Sequence, residues 1–165
     1  MQGNRKPFDP ALHARTDTPG KDATLKLVDR LLSHKSNLRT IENPDKHGID
    51  LLTLNEKDEV VACWEVEVRL ESWEGDRSFP FDSMNCLERK DHMWMKKNTF
   101  TSNIPFPVTS NCEVFYVQLN NLHNRFAIVE GEQVLKCRLR PQPNKRQHGE
   151  YVRQVPTEWL VQKRL

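Results

Sequence analysis

The alternation of apolar and polar side chains is clearest in two neighbouring stretches, Gly48-Ile49-Asp50-Leu51-Leu52 and Trp64-Glu65-Val66-Glu67-Val68-Arg69. Successive side chains on a strand point to opposite faces, so Trp64, Val66 and Val68 share one face and Glu65, Glu67 and Arg69 the other. The polar run Asn55-Glu56-Lys57-Asp58-Glu59 between them predicts a hairpin. Upstream, Leu25, Val28, Leu31 and Leu32 recur at three- and four-residue spacing, which predicts a helix capped by Asp22 and running to about Leu32. Pro7, Pro10, Pro19 and Gly20 leave residues 1–20 with little periodicity, so an irregular arm is expected there, ahead of a single domain over 21–165. Asn43-Pro44-Asp45-Lys46-His47-Gly48 reads as a turn into the first strand of the hairpin.

Further along, Glu71 to Asp82 is a loop punctuated by Gly and Pro that carries Trp73, Phe79 and Phe81. Met84 to Leu87 reads as a short strand and Glu88 to Lys97 as a basic helix, with Leu87, Trp94 and Met93 or Met95 on its buried side. Pro105 and Pro107 interrupt regular structure. Glu113 to Leu119, dense in β-branched and aromatic residues, gives the strongest strand signal. Arg125 to Val129 and Gln133 to Leu139 read as two more strands, and a short helix or strand is expected near Trp159-Leu160. The sum is an α/β (α+β) domain with a central mixed β-sheet flanked by helices.

Composition narrows the classes little. A length of 165 residues suffices for one core. With 25 Lys+Arg against 23 Asp+Glu the net charge is only +2, which leaves room for segregated charge patches. Mean hydropathy is −0.76, and no apolar run approaches the length that spans a bilayer. The amino terminus has no apolar signal segment, so a cytoplasmic protein that does not engage membranes is expected. Cys63, Cys86, Cys112 and Cys137 never fall in a C-x-x-C pair, and the six histidines lack zinc spacing. Reduced, packed thiols are the expectation.

The acidic face of the hairpin is the feature that calls for chemistry. Residues two apart on a strand are separated by roughly 6.5–7 Å, close enough for two carboxylates to flank one ion. Crowded carboxylates repel one another and raise their own pKa values, a penalty that a bound divalent cation removes. In a hydrolytic reading Asp50 and Glu65 hold Mg²⁺ (or Mn²⁺), with Glu67 as a third ligand or as the group that orients or deprotonates a water. Arg69 or Lys90 then neutralises developing charge. The same alternation is also what the solvated face of a two-layer sheet presents.

A helix, an aspartate-bearing strand and a following strand with acidic-x-basic spacing resemble the core of the PD-(D/E)XK nuclease superfamily over roughly residues 22 to 120. The residues that carry the resemblance are Pro44 and Asp45 in the turn, Asp50, and Glu65-Val66-Glu67, continued by Leu87-Glu88-Arg89-Lys90 and by the strand at Val114 to Leu119. The resemblance implies a restriction-endonuclease-like core and Mg²⁺-dependent endonuclease activity on DNA. By position it places the metal on Asp50 and Glu65, and it implies a homodimer that cuts both strands. The sequence departs from the pattern at the third motif position, where Glu67 stands in place of lysine. Some restriction endonucleases of the superfamily use glutamate there. Glu67-Val68-Arg69 is an offset alternative, and a migrated lysine such as Lys90 is another; arginine holds its proton too tightly to serve as a base.

The Glu67 departure also fits a catalytically inactive nucleic-acid-binding or assembly protein on the same scaffold. A structural subunit of a larger assembly, phage-encoded and contacting its partners through the aromatic loop from Trp73 to Phe81, is a third reading. Lys136, Arg138 and Arg140 alternate with Cys137 and Leu139, so one strand face is expected to carry three positive charges suited to phosphate. Lys145, Arg146, Arg153, Lys163 and Arg164 add to that excess. Charges that guard an edge strand against aggregation would give the same pattern. Arg89 and Lys90, with Lys96 and Lys97 around Trp94, form a second candidate nucleic-acid element; His92 has no assigned role.

Overall fold

A computed structural model of the chain describes residues 10–91, 103–141 and 150–165. The order of elements is α1 (Pro10–Leu31), β1 (Arg39–Glu42), β2 (Leu51–Leu54), β3 (Val60–Val68), β4 (Ser83–Leu87), β5 (Val108–Leu119), β6 (Arg125–Glu130), α2 (Gly131–Leu135), β7 (Leu139–Pro141), β8 (Tyr151–Pro156) and β9 (Val161–Arg164). This is an α+β arrangement. Six strands form a mixed sheet in the order β1-β2-β3-β5-β6-β9, and β4-β8-β7 form a second, three-stranded sheet. Within the larger sheet only β3 and β5 run parallel; the other neighbours are antiparallel. Among the described residues no helix is long and apolar enough to cross a membrane.

The β2–β3 hairpin forms as its alternation predicts. Asn55 closes it, its side-chain oxygen accepting the amides of Lys57 at 2.9 Å and Glu59 at 3.0 Å. Asp58 takes the left-handed conformation the loop needs, with φ 58°, a region that aspartate tolerates better than most side chains. The sequence reading missed β1, whose four residues Arg-Thr-Ile-Glu carry too little apolar signal and sit at the sheet edge.

The helix begins at Pro10, well before the predicted cap at Asp22, so the expected irregular arm is helical from residue 10 onward. Pro19 lies inside it, lacking one amide donor. Packing outweighs that loss. A Cβ on Gly20 would lie 2.6 Å from Cγ2 of Val68, so only glycine lets the helix approach β3 this closely. The Thr24 hydroxyl donates to the Gly20 carbonyl at 2.8 Å, and Lys21 pairs with Asp17 one turn back at 3.0 Å.

The two faces of the large sheet are covered differently. Ala23, Leu27 and Val28 of α1 bury Leu51, Trp64, Val117, Leu119, Phe126 and Ile128 on one face. The other face was expected to carry helices; it packs instead against the second sheet and short α2, through Met84, Cys86, Val134, Cys137 and Val155. The loop between β3 and β4 turns inward here. Trp73 and Phe79 are buried edge to face, 5.2 Å apart, and only Phe81 is exposed. The aromatic loop is thus core rather than the predicted assembly contact, because the Trp73 indole finds an internal acceptor in the Arg77 carbonyl at 3.0 Å.

The segment Gln133–Leu139 is not a strand. Gly131 and Val134 are the buried pair of α2, a three-residue spacing that one helical turn satisfies, and the short β7 starts only at Leu139. Lys136 therefore follows a helix, Arg138 lies between elements and Arg140 is on β7; all three are exposed but share no strand face. The four cysteines are buried free thiols, with Cys63 and Cys112 facing each other across β3 and β5 at 3.7 Å between sulfurs.

Candidate active site

Asp50 immediately precedes β2. The register Leu51 to Trp64 and Leu52 to Cys63, extended by one residue, sets Asp50 across from Glu65 on β3. The turn ahead of Asp50 is fixed from several sides. The Asp45 amide donates to Asn43 Oδ1 at 3.1 Å, the His47 amide to Asp45 Oδ1 at 2.9 Å, and the Asn43 side chain to the Asn103 carbonyl at 3.0 Å. A Cβ on Gly48 would stand 2.5 Å from that same carbonyl. The Asp50 carboxylate is then held at both oxygens: the Val66 amide donates to Oδ2 at 2.8 Å, and Lys21 Nζ lies 3.4 Å from Oδ1. Lys21 also meets Asp17 at 3.0 Å and Glu42 at 3.3 Å, so α1 delivers one ammonium among three carboxylates.

Glu65 is buried, and its partner comes from outside the hairpin. Lys90, at the end of the 3-10 turn Glu88–Lys90 that follows β4, places Nζ 2.6 Å from Glu65 Oε1. The same ammonium lies 5.8 Å from the ring centroid of Tyr116 on β5. Lys90 and Glu65, far apart in the chain, are thus in direct contact. Burial opposes the charge on Lys90, but Glu65 and Glu67, with Asp50 adding to them, outweigh it and hold the ammonium above its usual range. Asp50 moves the other way. Burial and then the Glu65 charge push its carboxyl up to about 7, although the Val66 amide and Lys21 pull it down.

Glu67 lies two residues on from Glu65, with a different set of partners. It accepts the Tyr116 hydroxyl at Oε2, and Arg69 Nε lies 3.7 Å from Oε1. The Gln118 amide donates to the Tyr116 oxygen at 3.0 Å, and Arg69 Nε donates to Gln118 Oε1 at 3.1 Å. These four side chains close a ring on the face that carries Glu65, because β3 and β5 pair Glu65 with Tyr116 and Glu67 with Gln118. Burial, and then Glu67, raise the Tyr116 pKa, so the phenol stays a donor.

The structure therefore brings together Asp50, Glu65 and Lys90, sets Glu67 and Arg69 in an adjoining network, and leaves Lys136, Arg138 and Arg140 on other elements. Arg89 is in the turn beside Lys90, but its side chain lies outside the described residues, as do His92, Trp94, Lys96, Lys97, Lys145 and Arg146. Arg153 and Arg164 are taken up by Asp91 and Asp76, each at short range. Sequence reasoning did not single out Lys21, Tyr116 or Gln118. Tyr116 and Gln118 were legible only as strand residues, and nothing local marks Lys21 as a neighbour of Asp50.

Among the described residues no group of three or more His, Cys, Asp or Glu side chains is arranged to hold a metal ion. The pair Asp50 and Glu65 still suits a hard cation that keeps much of its water shell, since Mg²⁺ is commonly bound by one or two carboxylates plus substrate phosphate. The upward push of Glu65 on Asp50 is the repulsion that such a cation relieves. No family model matches the chain, and neither a curated protein nor a solved structure is detectably similar to it.

Proposed function

We propose that this chain is a Mg²⁺- or Mn²⁺-dependent DNA endonuclease with a restriction-endonuclease-like core. The observation that carries the reading is the meeting of Asp50, Glu65 and Lys90: one carboxylate just ahead of β2, one opposite it on β3, and a partly buried ammonium 2.6 Å from the second. That constellation supports a PD-(D/E)XK site in which the lysine is supplied from a turn after β4 instead of from position 67.

Asp50 and Glu65 would hold the cation, which when bound would supply water activation and screening of phosphate charge. The Val66 amide and Lys21 orient the Asp50 carboxylate. Lys90 remains protonated, so its role is to meet negative charge as it develops on the phosphate rather than to accept a proton. Glu67, engaged by Tyr116 and Arg69, keeps the C-terminal half of β3 fixed against β5. Exposed Lys136, Arg138 and Arg140 contribute attraction to the backbone of DNA, and a homodimer would present two such sites to a duplex.

The test is cleavage of supercoiled, linear and single-stranded DNA with Mg²⁺ or Mn²⁺, comparing wild type with Asp50→Asn, Glu65→Gln and Lys90→Met. Metal-dependent cutting is expected in the wild type and a fall of about 10²–10³-fold in each variant, the scale for losing one group that stabilises transition-state charge. The use of Glu67 in a hydrogen-bonded ring favours a second reading, a catalytically inactive nucleic-acid-binding or assembly protein on this scaffold. DNA binding by all four proteins with no cutting by any would select it.

A further inference from the structure

We infer that Arg153 and Asp91 are positioning residues for Lys90, forming a strut from the second sheet that holds the lysine on Glu65. The inference rests on the nuclease reading for its functional meaning and on geometry for its existence. Asp91 directly follows Lys90. Arg153 Nε donates to Asp91 Oδ1 at 2.9 Å and Nη2 donates to Oδ2 at 2.8 Å, a two-point fork. The remaining arm, Nη1, donates to the backbone carbonyls of Cys137 at 2.7 Å and Leu135 at 3.2 Å. One guanidinium thus ties the Lys90 turn to the end of α2, from β8, the central strand of the second sheet.

The arrangement answers a physical problem. Lys90 has a flexible stem, and its turn has only three residues and no side-chain hydrogen bond at its N-cap. An ammonium that must stay on a buried glutamate needs its backbone fixed from outside, or rotamer freedom disperses it. The fork supplies two charge-assisted bonds with fixed direction, which a lysine at position 153 could not reproduce. Both side chains are mostly covered, at 17% and 19% exposure, so solvent competes weakly with the pair.

The strut is tested in the metal-free protein by the rate at which amine-reactive reagent modifies Lys90, read by peptide mass spectrometry with exposed Lys57 as the internal standard. Asp91→Asn, which keeps the side-chain shape, and Arg153→Lys, which keeps the charge, are expected to raise Lys90 modification roughly ten- to a hundredfold relative to Lys57, the scale of one lost charged hydrogen bond. DNA cleavage by the same variants is expected to lose kcat while KM and the metal concentration for half activity stay at wild-type values, because Asp50 and Glu65 are untouched. Unchanged Lys90 labelling in both variants overturns the strut, whatever the cleavage result. Failure of the wild type to cut any substrate overturns the nuclease reading, while the labelling ratio still decides the strut.

Discussion

Trp64 and Glu65 are adjacent in the chain and occupy opposite faces of β3 in unlike surroundings. Trp64 stacks on Phe115 at 4.5 Å and joins an apolar cluster with Leu27, Val28, Val117 and Phe126. Its one polar atom is satisfied by Thr53 at 3.0 Å. Glu65 interrupts the apolar surface of the other face and depends on Lys90, which arrives from the turn after β4, an edge strand of the second sheet. The first face is stabilised by non-directional burial, which tolerates changes of partner. The second is also packed, on Trp73, Met84, Cys86 and Val155, but around Glu65 it rests on a few directional contacts that fail if any partner is lost. Burial stabilises both faces of the sheet, while the directional contacts of the candidate site are confined to one of them.

Leu27→Ala should separate the two faces most. Truncation of this buried side chain on the α1 face is expected to lower stability by about 2–5 kcal/mol, measured by urea unfolding. The pH response of the folded protein should stay as in the wild type. A changed pH response would mean that the two faces are coupled through β3.

Asp50→Asn probes the polar face, with a smaller effect of opposite sign. Asp50 titrates at about 7 in the folded chain, against about 3.9 when unfolded. Between those values the folded protein keeps a proton that the unfolded chain has released. The contribution of Asp50 to stability therefore falls as pH rises from about 4 to 7 and is level above that. The asparagine variant lacks this slope. Its Tm should match wild type near pH 4 and exceed it by a few degrees at pH 8, in the absence of divalent metal. A gap that fails to widen with pH would show that Asp50 is not under charge strain. Arg39→Ala gives the smallest effect: its pair with Asp58 is at 2.5 Å but both side chains are more than half exposed. A change of no more than about 0.5 kcal/mol is expected.

How much of this the sequence reveals depends on the range of the interaction. The hairpin, β5 and β6 are readable because alternation is a local property, and Asp50 and Glu65 follow from it by register. Pro19 and Gly20 mislead, since the local rule that breaks helices there is outweighed by the contact of Gly20 with Val68, a partner far along the chain. Gln133 to Leu139 misleads for a different reason. Five residues of helix are too few for a period to emerge, so apolar residues at 134, 135, 137 and 139 imitate a strand. The strut and the Tyr116 ring were invisible because each joins residues whose proximity is created only by the sheets. Lys90 is the most instructive case: it meets Glu65 in space, but the pattern along β3 cannot show it.

The place of β8 has a consequence for synthesis. Strands β4 and β7 each pair only with β8 in the second sheet, and Arg153 lies on it. Asp50, Glu65 and Lys90 all leave the ribosome earlier, yet the layer that seats Lys90 cannot close until this late strand emerges. A chain made only as far as β6 can thus carry Asp50, Glu65 and Lys90 without the layer that fixes Lys90. The contacts around Lys90 are completed only when β8 docks between β4 and β7.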